Sequence, residues 1–202
     1  LNDIEKEVLK KCIFPIGNIE KSEVRKIAKD KKLVTFDKKD STGICFIGER
    51  PFPDFLSNYL PQKKGDIFDE NSNLIGKHNG VHFYTLGQRQ GLGIGGVKGS
   101  SEQPWYVAAK DNLNNSLTVV QDNNHPLLLN SELKVKKINW LISKLPNLNN
   151  LNCKIRYRQK DQLCSLEETS NGWVVSFEEP QRAITPGQSI VFYDGDTCLG
   201  GG

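Results

Sequence analysis

The turn signals that recur every few residues after residue 81 constrain the fold of this chain more than any other feature. Short stretches rich in β-branched and aromatic residues are separated there by Asn-Gly, Asp-Gly and Asn-rich segments, the pattern of strands joined by tight turns. Asn171-Gly172 and Asp194-Gly195 are the strongest hairpin signals, because both central residues of a type I′ turn need positive φ. The spacing predicts small β-barrels, with strands at residues 81–85, 105–109, 116–120, 133–138, 153–157, 163–167, 172–177 and 189–193.

The first 60 residues have helical periodicity instead. Val24, Ile27 and Ala28 recur at spacings of three and four residues, which predicts a helix that Glu20 caps. A second short helix is predicted at residues 53–60, before Pro61. The polar stretch 121–126 is the best candidate for a domain boundary. We therefore predict three regions, which are residues 1–46, 47–124 and 125–202.

Charge and cysteine usage limit the class of protein. The net charge is only +3, so any basic surface for a nucleic acid must be local. The five cysteines are scattered without a Cys-x-x-Cys pair, and no apolar run has the length of a membrane span, so we expect a cytoplasmic protein. His78, His82 and His125 have no cysteine or carboxylate at ligand spacing, so we expect no metal site and interpret them as surface or satisfied core histidines.

Cys45 lies in the segment DSTGICFIGE, residues 40–49, soon after Lys38 and Lys39. Nearby cations and free backbone N–H groups lower the pKa of a thiol and produce the nucleophilic thiolate. Cys45 is therefore a candidate for sulfur chemistry. The alternative is that Cys45, between Ile44 and Phe46, is a small buried hydrophobic residue.

Residues 87–96, GQRQGLGIGG, contain five glycines in ten positions. Glycine permits positive φ and close backbone approach, so this loop could surround a phosphate or an RNA backbone while Gln88, Arg89 and Gln90 supply donors. The alternative is a flexible hairpin connection.

Residues 153–160 are interpreted as a strand with a basic face. Alternation would place four cations on one side, Lys154, Arg156, Arg158 and Lys160, and Cys153, Ile155 and Tyr157 on the other. Four cations on one face could neutralise phosphates, the sequence-independent part of nucleic-acid affinity. The alternative is a solvated outer face.

Several segments, taken in order, resemble one known family. Besides DSTGICFIGE they are GERPFPDFLSNYLPQKKGDIFD at 48–69, HFYTLGQRQGLGIGG at 82–96, RYRQ at 156–159 and TPGQSIVFYDGDTCLGGG at 185–202. Together they closely resemble the tRNA-specific 2-thiouridylases, which replace the 2-oxygen of the wobble uridine with sulfur. The resemblance covers nearly all of this chain but only the C-terminal portion of the family's length.

The resemblance implies a fold that is mainly β with a short α-helical N-terminal segment, in which a small central β domain is followed by a translation-factor-like antiparallel β-barrel. Residues 1–46 would be the tail of the catalytic ATP-pyrophosphatase domain. Cys45 would carry sulfur as a persulfide, and the family's tRNA contacts map onto Arg156, Tyr157 and Gln188. The implied partners are tRNA and a sulfur-relay protein or cysteine desulfurase, and no membrane.

The chain begins at Leu1 and contains no methionine, so we expect it to be a piece of a longer protein. ATP, with Mg²⁺, would be bound by an N-terminal domain that carries a Ser-Gly-Gly-x-Asp-Ser loop and a first catalytic cysteine, so we expect the chain alone to be inactive. Two alternatives remain from the sequence. One is a non-catalytic RNA-binding β-barrel module that recruits tRNA to a partner protein, and the other is a structural interaction domain.

Overall fold

The computed structural model describes residues 2–39, 52–95 and 103–202 of the chain. Its helices are short and all lie before the first strand: α1 (Lys6–Leu9), α2 (Lys21–Asp30) and α3 (Phe52–Ser57). The two predicted helices are confirmed, although α3 ends earlier than expected. Glu20 is the N-cap residue of α2, yet its side chain makes no capping hydrogen bond, which corrects the predicted cap. No residue of α1 or α2 is buried, so their apolar side chains contribute little to the cores described below.

A small mixed sheet occupies the middle of the chain. Its strands, in spatial order, are β2 (Leu74–His78), β1 (Gly65–Phe68), β4 (Ser116–Gln121) and β3 (Trp105–Asp111). The outer pairs are antiparallel, whereas β1 and β4 are parallel, with Ile67 opposite Leu117. Strands β3 and β4 lie where the sequence predicts them, and β1 and β2 were not predicted. One face packs on a core of Ile67, Val81, Tyr84, Leu92, Val107, Leu117 and Val119.

The strand predicted at residues 81–85 is wrong. Val81–Phe83 form a 3-10 turn that begins after Gly80, whose φ is +136°. Val81 and Tyr84 are the buried residues of this segment, and His82 between them is exposed. Burial at a spacing of three suits a helical turn, whereas a strand would bury alternate residues. A segment of five residues is too short for its sequence to distinguish helical from strand periodicity.

The second sheet has seven strands, and every neighbouring pair is antiparallel. It curls into a half-barrel, so the predicted fold class is confirmed. In spatial order its strands are β5 (Leu129–Val135), β9 (Gly172–Arg182), β8 (Gln162–Thr169), β7 (Leu151–Lys154), β10 (Val191–Asp194), β11 (Thr197–Gly201) and β6 (Asn139–Trp140). Its concave side buries eleven residues: Val135, Ile138, Leu151, Cys153, Cys164, Leu166, Val175, Phe177, Ile190, Phe192 and Leu199.

Both predicted hairpins exist, but neither has the predicted I′ turn. Thr169 pairs with Gly172, so Ser170 and Asn171 occupy the centre of the first turn, and neither has a positive φ. In the second hairpin, Asp194 pairs with Thr197, and Gly195 (φ +55°) is the one central residue with positive φ. The Asn-Gly and Asp-Gly signals therefore located the hairpins one residue away from the true turn centres.

Candidate nucleic-acid interface

The predicted basic strand ends early. Strand β7 stops at Lys154, and residues 155–158 form a turn, so Lys154, Arg156, Arg158 and Lys160 do not make a strand face. The backbone N–H of Ile155 donates to Oε1 of Gln159 across 3.1 Å instead of to a neighbouring strand. The N–H of Gln159 donates in turn to the carbonyl of Arg156. A side-chain amide thus closes the turn, which places Arg156 and Tyr157 at its tip.

A chain of glutamine amides fixes this turn to the sheet. Gln159 Nε2 donates to Oε1 of Gln181 across 2.6 Å, and Gln181 Nε2 donates to Oε1 of Gln162 across 3.0 Å. Gln181 is 4% exposed, and its Nε2 also donates to the carbonyl of Glu179. Because a buried amide without partners is unfavourable, each of these bonds holds the turn in one conformation.

Arg156 and Tyr157 project from the turn differently. Nη2 of Arg156 donates to the carbonyls of Arg182 (3.0 Å) and Ala183 (3.3 Å), which orients the guanidinium along strand β9. Tyr157 is 94% exposed. The strand alternation that would put these residues on opposite faces does not apply in a turn, so both can meet the same ligand. An exposed aromatic ring beside an oriented guanidinium is the combination that single-stranded RNA uses for stacking and phosphate contact.

The other three cations of the predicted basic face differ in whether they already have a partner within the protein. Lys154 forms an ion pair with Asp161 at 3.2 Å and lies over the ring of Tyr193 at 5.1 Å, so its charge is already partnered. Arg158 and Lys160 are exposed. Lys154 is therefore withdrawn from the candidate phosphate contacts.

The glycine-rich loop lies against the large sheet. The N–H of Gly87 donates to the carbonyl of Val107, and a Cβ on Gly87 would lie 2.7 Å from Cβ of Ala183. Gln88 is not the free donor expected from the sequence, because its Oε1 accepts from Thr85 N–H and its Nε2 donates to the carbonyl of Gln90. Arg89 and Gln90 are exposed at the loop surface. Residue 96 lies outside the described part of the loop.

Sequence reasoning missed Arg182, which joins the loop to the turn. Its Nε donates to the carbonyl of Asn123 (2.8 Å), its Nη2 to that of Gly87 (3.3 Å), and its guanidinium lies 5.0 Å from the ring centre of Tyr106. Burial and the neighbouring charge of Arg156 lower the pKa of Arg182. No local pattern around Arg182 indicates this role, because its contacts with Asn123 and Gly87 are 59 and 95 residues away along the chain.

Arg156 and Arg182 line a groove of about 510 Å³ on the large sheet, which Arg158, Gln159 and Gln181 also line. Gln188 is exposed in the turn that follows β9, and it lines a different groove, of about 770 Å³. That second groove carries the exposed lysines Lys134, Lys136 and Lys137, together with Asp3 and Glu5. The structure therefore does not place Gln188 in one groove with Arg156.

Cys45 and the whole segment 40–49 lie outside the described residues, so its role stays a prediction. Cys153 and Cys164 are buried in neighbouring strands, as the strand pattern predicts. A hydrogen bond with Cys164, together with burial, raises the pKa of the Cys153 thiol. Cys153 is accordingly a core residue and not a thiolate nucleophile.

Within residues 2–39, 52–95 and 103–202, no three His, Cys, Asp or Glu side chains are grouped as metal ligands. His78 is a satisfied core histidine, because its Nδ1 accepts from Gly80 N–H (2.9 Å) and its Nε2 lies 3.0 Å from the carbonyl of Asn115. His82 is exposed, and His125 pairs with Glu70 at 2.7 Å. None of the described helices is long and apolar enough to cross a membrane.

Three family models match the chain in succession. Residues 1–49 match a tRNA methyl transferase HUP domain, residues 53–121 a tRNA methyl transferase PRC-barrel domain, and residues 130–202 an aminomethyltransferase beta-barrel domain. Proteins called tRNA-specific 2-thiouridylase MnmA, from Francisella philomiragia subsp. philomiragia and Francisella tularensis subsp. tularensis, are each 58% identical to this chain over its whole length.

The chain belongs to the tRNA-specific 2-thiouridylase family. It spans 57% of the length of these two relatives. The match to these relatives covers both sheets. The Arg156 turn and the Gly87 loop thus lie in a chain of this family.

Proposed function

We propose that this chain is part of an enzyme that transfers sulfur to C2 of the wobble uridine of tRNA. The observation that carries the proposal is the 58% identity over the full chain to proteins named for this activity. The geometry of the Arg156 turn supports the part of this proposal in which the chain binds tRNA.

In this proposal, tRNA meets the large sheet at the turn. Tyr157 stacks on an unpaired base, since its ring is almost fully exposed. Arg156, held by two backbone carbonyls, binds a phosphate with the donors that remain. Gln188, in its separate groove, would contact the same RNA at a second place.

Cys45 supplies the sulfur. A cysteine desulfurase or a sulfur-relay protein gives Cys45 one sulfur atom and converts it to a persulfide, Cys–S–SH. In one route, the thiolate of the first catalytic cysteine, in the N-terminal domain, attacks the inner sulfur of Cys45. The persulfide S–S bond breaks, a disulfide forms between the two cysteines, and hydrosulfide leaves with the electron pair and attacks C2. In the other route, the outer sulfur of the persulfide attacks C2 directly, and the same thiolate then breaks the S–S bond and leaves that sulfur on the tRNA. In both routes the adenylated 2-oxygen leaves C2 as AMP. The disulfide must be reduced by a thiol reductant before the next turnover.

The family implies ATP, with Mg²⁺, to convert the 2-oxygen into a leaving group. Neither a G-x-x-x-x-G-K-[ST] loop nor a Ser-Gly-Gly-x-Asp-Ser loop occurs in this sequence, so no residue of the chain is assigned to the nucleotide. The task assigned to this chain is to carry sulfur and to hold tRNA.

The test is intact-mass analysis of this chain after incubation with a cysteine desulfurase and cysteine. We expect a mass increase of one sulfur atom that a reductant removes, and peptide mapping should place it on Cys45. Cys45→Ser should remove the adduct, whereas the matched variant Cys153→Ser, in a buried strand, should retain it.

The same substitution should be made in the whole enzyme, expressed in a strain that lacks the modification. Cys45→Ser should abolish 2-thiouridine, as measured by nucleoside mass spectrometry. Normal thiolation by that variant would reject the sulfur-carrying role. If the chain binds tRNA but never acquires sulfur, the RNA-binding module becomes the better description.

A further inference from the structure

Three arginines line one groove, and two of them, Arg156 and Arg182, are held by backbone carbonyls and have no acidic partner among the described residues. The acceptors of Arg156 are the carbonyls of Arg182 and Ala183, and those of Arg182 are the carbonyls of Asn123 and Gly87. In the described part of the chain, no carboxylate oxygen lies within 4.0 Å of either guanidinium. Glu179 lines the groove but forms no ion pair with them.

This arrangement is unfavourable unless an anion is present. Arg182 is partly buried, and burial together with the charge of Arg156 lowers its pKa, against the opposing effect of Tyr106, so the cationic form of Arg182 is disfavoured at this position. Neutral carbonyls orient both groups without cancelling their charge. Proteins commonly neutralise such pairs with carboxylates, or use them to bind phosphate.

Both arginines keep donors for a ligand. A guanidinium has five N–H donors. Arg156 uses two of them, both on Nη2, and Arg182 uses one on Nε and one on Nη2. Each side chain therefore retains three donors, and the groove of about 510 Å³ that both residues line is large enough for a phosphate group.

We infer that Arg156 and Arg182 together bind one phosphodiester group of an RNA backbone in this groove. The identity of the RNA rests on the proposed function, whereas the anion chemistry rests on the two guanidiniums alone. Arg182 thereby has two tasks, since it also holds the carbonyl of Gly87 in the glycine-rich loop. Binding of the phosphate would fix the glycine-rich loop and the Arg156 turn relative to each other.

The first experiment measures how tRNA affinity depends on salt. A fluorescently labelled, unmodified tRNA transcript is titrated with the chain at several salt concentrations, and the slope of log K against log salt is compared between variants. One phosphate contact contributes about 0.7 to 0.9 to that slope. The variants are Arg156→Gln, Arg182→Gln, the double variant and Arg182→Lys. Lys144→Gln, an exposed cation outside the groove, is the matched control.

If one phosphate is shared, the double variant should lose about 0.7 to 0.9 of the slope in total, and each single variant no more than that. Arg182→Lys should keep the slope but bind more weakly, because an ammonium cannot replace the fork of a guanidinium. Two results would overturn the inference. If Arg182→Gln has the wild-type slope, Arg182 is only a structural link. If the double variant loses twice the slope expected for one phosphate contact, the two arginines bind separate phosphates.

The second experiment needs no RNA. The ¹⁵Nε signals of the arginine side chains are followed while inorganic phosphate is added to the chain. The signals of Arg156 and Arg182 should shift together with one dissociation constant, and in Arg182→Lys the shift of Arg156 should weaken. Unshifted signals would reject the anion site. Shifted signals in a chain that fails to bind tRNA would reject the proposed function and retain the site.

Discussion

The side chain of Gln159 donates to that of Gln181 across 2.6 Å, and this bond ties the Arg156 turn to strand β9. Gln181 in turn donates to Gln162, so three amides that are distant in sequence form one continuous chain. Gln181 is almost completely buried. Water therefore could not replace the hydrogen bond between Gln159 and Gln181 without a loss of stability.

Gln181→Ala should therefore lower the free energy of unfolding by about 1 to 3 kcal/mol, because it leaves the partner groups of Gln159 and Gln162 unsatisfied. Urea denaturation followed by tryptophan fluorescence measures the change. Gln62→Ala, at an exposed position before β1, is the control and should stay within about 0.5 kcal/mol of the wild type. Equal stability of the two variants would show that the amide chain does not hold the turn.

Tyr157→Ala should leave stability unchanged and weaken tRNA binding. The ring is 94% exposed, so little packing is lost, whereas loss of one stacked base costs about 1 to 3 kcal/mol of binding free energy. Tyr157→Phe should retain most of the affinity, since the ring remains. Tyr59→Ala, which removes another exposed tyrosine, is the control for a general effect of surface aromatics. Unchanged affinity in Tyr157→Ala would remove Tyr157 from the interface.

Gly87→Ala should be more destabilising than Gly93→Ala. Both glycines have positive φ, +76° and +64°, so both variants incur a backbone cost of about 1 to 2 kcal/mol. Only at Gly87 would the new Cβ lie close to other atoms, 2.7 Å from Cβ of Ala183 and 2.9 Å from Nη1 of Arg182. Such overpacking adds about 1 to 3 kcal/mol. Thermal unfolding of the two variants, compared with the wild type, gives the difference, and equal values would contradict the close approach.

His78 should make the chain less stable in mild acid. Burial lowers the pKa of His78 in the folded state below the ordinary value of about 6.5. Above pH 6.5 the histidine is neutral in both states, so stability is fully present there. As the pH falls below 6.5, the unfolded chain binds the proton first, and stability is lost until the folded-state pKa is passed.

The urea concentration at the midpoint of unfolding should fall as the pH is lowered from 7.5 to 5. This range brackets the ordinary histidine pKa of about 6.5. His78→Gln should be less stable at every pH, because the contacts with Gly80 and Asn115 are disturbed, but its midpoint should change less with pH. His82→Gln, at an exposed histidine, should keep the pH dependence of the wild type. A wild-type dependence in His78→Gln would assign the effect to other groups.

The strands with a clear apolar pattern were predicted correctly from the sequence. Strands β3, β4 and β9 contain runs of apolar and β-branched residues, β8 contains Leu163, Cys164 and Leu166, and the structure places all four close to the predicted positions. Strands β1 and β2 were missed because each has only two adjacent apolar residues, too few for a recognisable strand pattern. The segment between them is polar. In the structure that segment is an Asp69 turn, in which Oδ1 accepts from the N–H groups of Asn71 and Asn73.

The candidate site was predicted only in part, for a physical reason. Arg156 and Tyr157 were found through a resemblance of short motifs, but the strand assigned to them was wrong, because the side chain of Gln159 replaces the neighbouring strand as acceptor. Arg182 could not be found in this way. Its contact with Gly87 spans 95 residues of sequence, so it exists only after the two sheets meet.

The glutamine chain described above also bears on how quickly RNA could associate. A turn that stays flexible in the free protein must lose conformational entropy when a ligand orders it, and that loss slows or weakens association. Here three amides order the turn during folding, before any RNA is present. The Arg156 turn is thus ordered before any RNA arrives, so binding at this turn would cost less conformational entropy.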